Sequence, residues 1–257
     1  MRLITVLLIA LAGTSVLSSA ATDTTAVKLM SFNLRYANDQ PPNAWDDRRP
    51  VMVRLIQDHS PDVMGTQEGV FTQLQDLSHD LTEYESVGLG REGGSHGEFC
   101  SIFFRRDRFE LLAFDHFWLS DTPRTIGSIT WGHQYIRMAT WVRLRDRETR
   151  AELIVLNTHF DHQVAEARTE AASLIREWTL TPDPVIPLVV MGDFNCPAES
   201  SEPFSILTTN TGLMDTWSTA ETRSPATPPN TFHGYQPLRF DGERIDWILV
   251  REPMTVE

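Results

Sequence analysis

The sequence predicts an α/β domain of two stacked sheets covered on the outside by helices, and three observations lead there. The apolar run from Val185 to Val190, bounded by Pro184 and the Gly192 turn, reads as a strand covered on both faces. From Tyr84 to Leu144, strand-like runs follow one another without intervening helices, which indicates antiparallel pairing. Amphipathic helical stretches stand apart from these runs, an arrangement that packs in layers. The chain has 257 residues, 41% of them hydrophobic, and no Gly/Ser-rich or charge-run linker in its interior, so it is read as one domain.

The elements follow in order. Arg2, the apolar stretch Leu3 to Ala12 and the small residues Ser18-Ser19-Ala20 have the layout of a secretory signal peptide, so residues 1–20 are expected to be removed near Ala20 and the domain to span 21–257. Lys28 to Asn33 alternates as a strand and ends in an amide. Asp47 to His59 carries Val51, Met52, Leu55, Ile56 and His59 at helical spacing, with Pro50 early, where its missing donor is harmless. Pro61 to Glu68 is a short strand ending in a carboxylate, and Val70 to Leu81 is a second helix through Leu74, Leu77 and Leu81. Strand runs follow at Phe99–Phe104, Phe109–Trp118 and Tyr135–Leu144, and Leu153 to Asp161 ends in His159 with an acid two residues on. Val164, Arg168, Ala171, Leu174, Ile175 and Trp178 mark a longer helix, and the Val185 strand delivers Met191-Gly192-Asp193-Phe194-Asn195. A short helix at Glu202–Thr208, a Pro-rich loop at Thr222–Asn230 and a strand through Arg244–Val250 complete the chain.

The formal net charge is −13, and loss of Arg2, the one charged residue before Ala21, takes it to −14. Such acidity opposes non-specific attraction to phosphate polymers. Arg105-Arg106-Asp107-Arg108 reads as a solvated turn rather than a basic groove. Export implies an oxidising destination, where Cys100 and Cys196 could pair, although two buried thiols fit the sequence equally well.

Any one polar residue at a strand end reads as a turn former. Four strands that each finish in Asn, Glu, His or Asp point instead to a convergent polar site on a rigid scaffold. Asn33, Glu68, Asp193, Asn195 and Asp246 are hard oxygen donors that suit magnesium, manganese or calcium rather than zinc. Magnesium takes one or two carboxylates and lets phosphate oxygens complete its shell, so Asn33 and Glu68 would suffice and phosphoester hydrolysis is the natural chemistry. His159 could donate to a leaving or non-bridging oxygen, and Glu98 could fix its tautomer.

Ser31-Phe32-Asn33, Gln67-Glu68, Asn157-Thr158-His159, Gly192-Asp193-Phe194-Asn195 and Arg244-Ile245-Asp246-Trp247 occur in the order found in the endonuclease/exonuclease/phosphatase superfamily, which the chain resembles from about Val27 to Val250. The resemblance extends to an exported bacterial branch of unsettled substrate. It implies a four-layer αββα sandwich of the deoxyribonuclease I-like type and a Mg2+- or Mn2+-dependent phosphoric ester hydrolase. It implies that Asn33 and Glu68 hold the metal, Asp193 orients or activates water, and Asn195 positions phosphate or a second cation. Glu98 resembles the acid that orients the histidine, His159 the general acid or electrostatic stabiliser, and Arg137 an arginine near the phosphate. Asp246 resembles the acid that pairs with a final Ser-Asp-His histidine, the general base. No histidine follows Asp246 here, so a truncation of the last strand and that motif is expected, the alternative being a chain that has lost its base; either way the polypeptide as written is expected to hydrolyse phosphodiesters poorly.

Loop aromatics and histidines, among them Trp131 and His233 with Phe232, together with Asp161 on the His159 side and the adjacent His162, are candidate site residues. The expected protein is a secreted or periplasmic monomer without stable membrane insertion. Its expected substrate is a small phosphorylated molecule, phosphodiester or phosphomonoester, rather than nucleic acid. The competing readings are a secreted nuclease and a binding protein on the same scaffold.

Overall fold

A computed structural model describes residues 5–11, 25–225, 227, 230–237, 239–251 and 254–256. The first sheet contains β1 (Thr5–Leu11), β2 (Thr25–Asn33), β3 (Val63–Val70), β4 (Tyr84–Val87), β5 (Glu98–Arg105) and β12 (Met254–Val256), in the order β12-β1-β2-β3-β5-β4. The second contains β6 (Phe109–Trp118), β7 (Met138–Asp146), β8 (Glu152–His159), β9 (Leu188–Asp193), β10 (Leu213–Asp215) and β11 (Asp246–Arg251), in the order β10-β11-β9-β8-β7-β6. Helices α1 (Trp45–His59) and α2 (Phe71–Asp80) pack on the first sheet, and α3 (Ala165–Thr179) and α4 (Glu202–Thr208) on the second; α5 (Thr216–Thr219) is a single turn beside β11.

The strand patterns explain the layers. On β2, Val27 and Leu29 enter the core between the sheets, while Met30 and Phe32 pack outward with Met52 and Ile56 of α1. On β9, Val189 and Met191 face inward, and Leu188 and Val190 meet Ala171, Ala172 and Ile175 of α3. Both central strands are covered on both faces, which is why they read as nearly continuous apolar runs. The result is the four-layer αββα sandwich that the resemblance implied.

Each sheet contains one parallel pair, β2 with β3 and β8 with β9, joined through α1 and α3; the other pairings are antiparallel. A parallel pair carries both its carboxyl ends to the same rim, where sheets of this kind place ligands. The antiparallel β11 starts at that rim with Asp246, opposite the end of β9.

Details of the sequence reading shift. Val51 of α1 is 52% exposed, because the buried stripe runs through Trp45, Met52 and Ile56. Tyr135 to Arg137 precede β7 rather than opening it. Cys100 and Cys196 are separate buried thiols; burial pushes the Cys100 thiol up to about 12 and that of Cys196 up to about 11, which makes both chemically quiet. Thr5–Leu11 lies between β2 and β12 as β1, while the cleavage region around Ala20 lies outside the described residues. No helix among the described residues is long and apolar enough to cross a membrane.

Candidate active site

The second sheet builds its share of the site from a regular ladder. Asp193, at the end of β9, pairs in register with His159 of β8 on one side and Asp246 of β11 on the other. All three are buried. Gly192 makes this tight arrangement possible: its φ is +153°, and a Cβ there would lie 2.1 Å from the Thr158 carbonyl oxygen.

The first sheet departs from its ladder at the corresponding place. The pairing of β3 with β5 slips between Thr66 and Gly69, and Glu68 sits in that bulge at φ +62°. A bulge re-aims a side chain that regular pleating would hold against the sheet. The Glu68 carboxylate is held by two donors, the Asn33 amide to Oε1 at 2.8 Å and the Tyr36 backbone N–H to Oε2 at 3.0 Å. Arg48 of α1 donates to the carbonyls of Leu34, Arg35 and Tyr36, and so fixes the segment that supplies the second donor.

Asn33 joins the two halves. Its Nδ2 donates to Glu68 Oε1 and, at 3.0 Å, to Asp193 Oδ2, 160 positions along the chain. Its Oδ1 accepts the backbone N–H of Arg35 at 2.8 Å, an assignment that only one orientation of the amide satisfies. The sequence reading gave Asn33 the role of oxygen ligand; here its nitrogen faces the carboxylates, and the amide bridges them. Below this contact Gln67 and Asn157 weld the sheets: Gln67 Nε2 donates to Asn157 Oδ1 at 2.7 Å, and Asn157 Nδ2 donates to the carbonyls of Thr66 at 2.8 Å and Ser101 at 2.9 Å. Gly65 leaves room for this amide, since a Cβ there would lie 2.7 Å from Asn157 Oδ1.

Glu68, His159 and Asp193 each bring a ligand atom within 4.8 Å of the others. His159 Nε2 stands 3.5 Å from Asp193 Oδ2, outside good hydrogen-bond range. Asp193 Oδ1 accepts the Asn195 N–H at 3.1 Å, and Asn195, at φ +50°, donates its side-chain amide to the Phe160 carbonyl at 2.9 Å. Two carboxylates and an imidazole converging in this way are a fit donor set for a divalent cation, with Glu68 and Asp193 offering the hard oxygens.

Two cavities meet at Glu68 and Phe232. The larger, about 510 Å³, includes Arg91, Glu98, Tyr135, Arg137, His159, His162 and Asn195 in its wall. The other, about 460 Å³, runs past Asn33 and Arg35 to Tyr235. Glu98 accepts from Arg91 Nη1 at 2.8 Å; burial nevertheless raises its pKa. Arg137 is buried, its pKa lowered by that burial, and donates from Nη2 to His162 Nδ1 at 2.9 Å.

The structure thus brings Glu68, Glu98, Arg137, His159, Asp193, Asn195 and Asp246 to one rim. Asp161 differs from the reading as a substrate contact: its Oδ1 accepts the N–H groups of Gln163 and Val164 ahead of α3, and its carboxylate is buried. Trp131 packs against the outer cluster of the second sheet and donates to Asp121, and neither it nor His233 lines the two cavities. His162, a candidate beside Asp161, lies in the cavity wall, whereas Arg91 and Tyr135 are wall residues whose roles sequence reasoning missed; the glycines flanking Arg91 in Gly88-Leu89-Gly90-Arg91-Glu92-Gly93-Gly94 mark a loop but no role.

Residues 30–257 match the model of the Endonuclease/Exonuclease/phosphatase family. The chain belongs to this family. A family structure from Bacteroides vulgatus is 36% identical, with a TM-score of 0.81, covering 88% of this chain and 87% of that one. A mannosyl-6-phosphatase from Bacteroides thetaiotaomicron is 31% identical, with a TM-score of 0.80, covering 88% and 85%. Nocturnin of Drosophila melanogaster is 28% identical over 171 residues, which is 62% of this chain but 25% of that longer protein. Membership in the endonuclease/exonuclease/phosphatase family makes phosphoester hydrolysis, in the broad sense that includes nucleases, the general activity of this scaffold.

Proposed function

We propose that the protein is an exported, magnesium- or manganese-dependent hydrolase of small phosphate esters. The observation that carries this reading is the convergence of Glu68, His159 and Asp193, drawn from both sheets, beside a cavity walled by Arg137. A divalent ion held by Glu68, with Asp193 adjoining, would neutralise charge on the phosphoryl oxygens. The chain's own groups supply the rest. Asp193, an acceptor-only carboxylate fixed by Asn33 and the Asn195 N–H, orients the attacking water and takes its proton as the new O–P bond forms. His159 gives a proton to the departing alkoxide as the ester P–O bond breaks, and Arg137 balances charge on the phosphoryl group. Asp246, next to Asp193 in the ladder, keeps the electrostatic field at this point negative.

A small substrate is favoured over a polymer by the net charge of −13. The mannosyl-6-phosphatase relative supports the same preference. The test is release of phosphate or alcohol from aryl phosphate mono- and diesters with magnesium or manganese, compared with a chelated sample and with Asp193→Ala. Metal-dependent release that the substitution abolishes is expected, slow for the phosphodiesters because Asp246 has no histidine after it to pair with. Absence of release from every ester sinks the reading. Recovery of a processed chain beginning near Ala21 from the periplasm or medium tests export.

A further inference from the structure

Resting on that reading, the geometry points to the substrate's alcohol: the larger cavity is a pocket for an uncharged, polyhydroxylated group, so that the ester is the phosphate of a sugar or similar polyol. Its volume, about 510 Å³, lies in the range of small-molecule sites. The two arginines in its wall each face a carboxylate. Arg91 meets Glu98 at 2.8 Å, with both side chains mostly buried, and Arg137 faces Asp161, with Nε 3.8 Å from Oδ2. A second phosphate would need a cation besides Arg137, and Arg91, the other arginine of the wall, is taken up by Glu98, whereas a neutral hydroxylated group needs donors and acceptors side by side.

The donors are set in place. The Arg91 backbone is pinned on both sides: its N–H donates to the Glu98 carbonyl at 2.9 Å, and its carbonyl accepts the buried Trp118 indole N–H at 2.6 Å. His162 is fixed by a simple constraint. A guanidinium has no acceptor, so Arg137 must donate to His162 Nδ1; the ring is therefore neutral, with its proton on Nε2, where it is a donor. Glu98 supplies the acceptor. Hydroxyls, which donate and accept at once, satisfy all three groups.

The aromatic residues of the wall add both polar and apolar contacts. The Tyr135 ring already has Arg91 and Arg137 over it, each 5.9 Å from its centroid, and His162 at 5.2 Å. These neighbours set the ring's position while it stays 40% exposed, and its hydroxyl adds another polar group to the wall. Phe232, 54% exposed, supplies the apolar contact that the C–H face of a sugar ring takes.

The experiment compares kcat/KM for mannose 6-phosphate, a probe suggested by the related phosphatase, with that for phenyl phosphate, which offers a ring without hydroxyls. The wild type is expected to favour the sugar phosphate. Arg91→Leu is expected to cut that preference by about 10- to 100-fold, the worth of one or two hydrogen bonds to charged groups, mainly through KM, with Arg91→Lys restoring part of it. Equal use of both substrates, or a preference unmoved by Arg91→Leu in a chain with native circular dichroism, overturns the inference. Calorimetric binding of mannose 6-phosphate to Asp193→Asn is the second readout. Binding weakened by Arg91→Leu upholds the pocket even if no ester is turned over, and binding indifferent to Arg91 refutes it; failure of hydrolysis alone refutes only the enzymatic reading.

Discussion

The two sheets contribute to one site by opposite means. The second sheet sets His159, Asp193 and Asp246 in adjacent registers of an unbroken ladder, where backbone pairing dictates their spacing. The first sheet breaks its ladder to place Glu68, which occupies the left-handed region without being glycine and is only half-buried. A non-glycine residue in that region costs roughly 1–3 kcal/mol and persists where its surroundings over-determine it; here the Asn33 and Tyr36 donors do so. The comparison assigns different properties to the two halves. The buried row is held rigidly by backbone pairing, whereas Glu68 is a strained group whose position depends on hydrogen bonds at its tip.

The largest effect expected from breaking this arrangement is at the centre of the row. Asp193→Asn keeps the shape of the side chain but removes the charge, and should lower kcat by about 10²- to 10⁴-fold, with urea denaturation showing a chain still folded. A loss smaller than tenfold would move the water-activating role elsewhere, Asp246 being the next candidate. Metal removal should reproduce the loss in the wild type and add nothing in Asp193→Asn, as read by turnover with and without chelator.

The contact between the sheets comes next. Asn157→Leu removes three buried hydrogen bonds and leaves the Gln67 amide with only long contacts, at 3.4 Å, to Ser31 Oγ and the Gly65 carbonyl. Unfolding free energy should fall by about 3 kcal/mol or more, measured by urea titration. A change below about 1 kcal/mol would show that the sheets are held by their apolar core alone.

Glu68→Asn sharpens the contrast directly. Asparagine tolerates the left-handed region better than glutamate, so relief of strain should offset the lost hydrogen bonds and leave stability within about 1 kcal/mol of the wild type, while turnover collapses. A stability loss as large as that of Asn157→Leu would mean that Glu68 is a structural support and not a strained functional group.

The smallest effect lies away from the rim. Asp80 pairs with Arg49 between α2 and α1, and the hydrogen bond from that guanidinium, opposed by slight desolvation, lowers its pKa from 3.8. A carboxylate whose folded pKa is depressed adds stability above the unfolded value and loses it as pH falls through the folded one. Asp80→Asn should therefore cost less than about 1 kcal/mol at neutral pH and slightly flatten the acid limb of the stability profile below about pH 4, as seen in thermal melts from pH 7 to pH 2.

The polar strand ends were legible because they are local: an apolar run with period two or full coverage that stops in Asp, Glu, His or Asn states where a buried scaffold meets its rim. Asp193 after Val189-Val190-Met191 and His159 after Leu153 to Leu156 are such cases, and so is the four-layer arrangement that covers both faces of their strands. Asp161 illustrates the limit. Its position two residues beyond His159 gave it the look of a site residue, yet its carboxylate accepts two backbone N–H groups ahead of α3. Trp131 was likewise an aromatic in a loop, and its packing against the second sheet's outer cluster could not be read from its neighbours in sequence.

By itself the sequence determined which residues end the buried strands, which faces are apolar and, through five ordered motifs, the family. Only the tertiary structure decided that Asn33 turns its nitrogen to Glu68 and Asp193, that Gln67 and Asn157 clamp the sheets, that Cys100 and Cys196 stay apart, and that Arg91 and Tyr135 become neighbours of the site. The reason is physical. Burial periodicity and strand termination are properties of a few consecutive residues, whereas the partner of a hydrogen bond is chosen by whichever donor or acceptor the packed sheets bring within about 3 Å, often more than a hundred residues away along the chain.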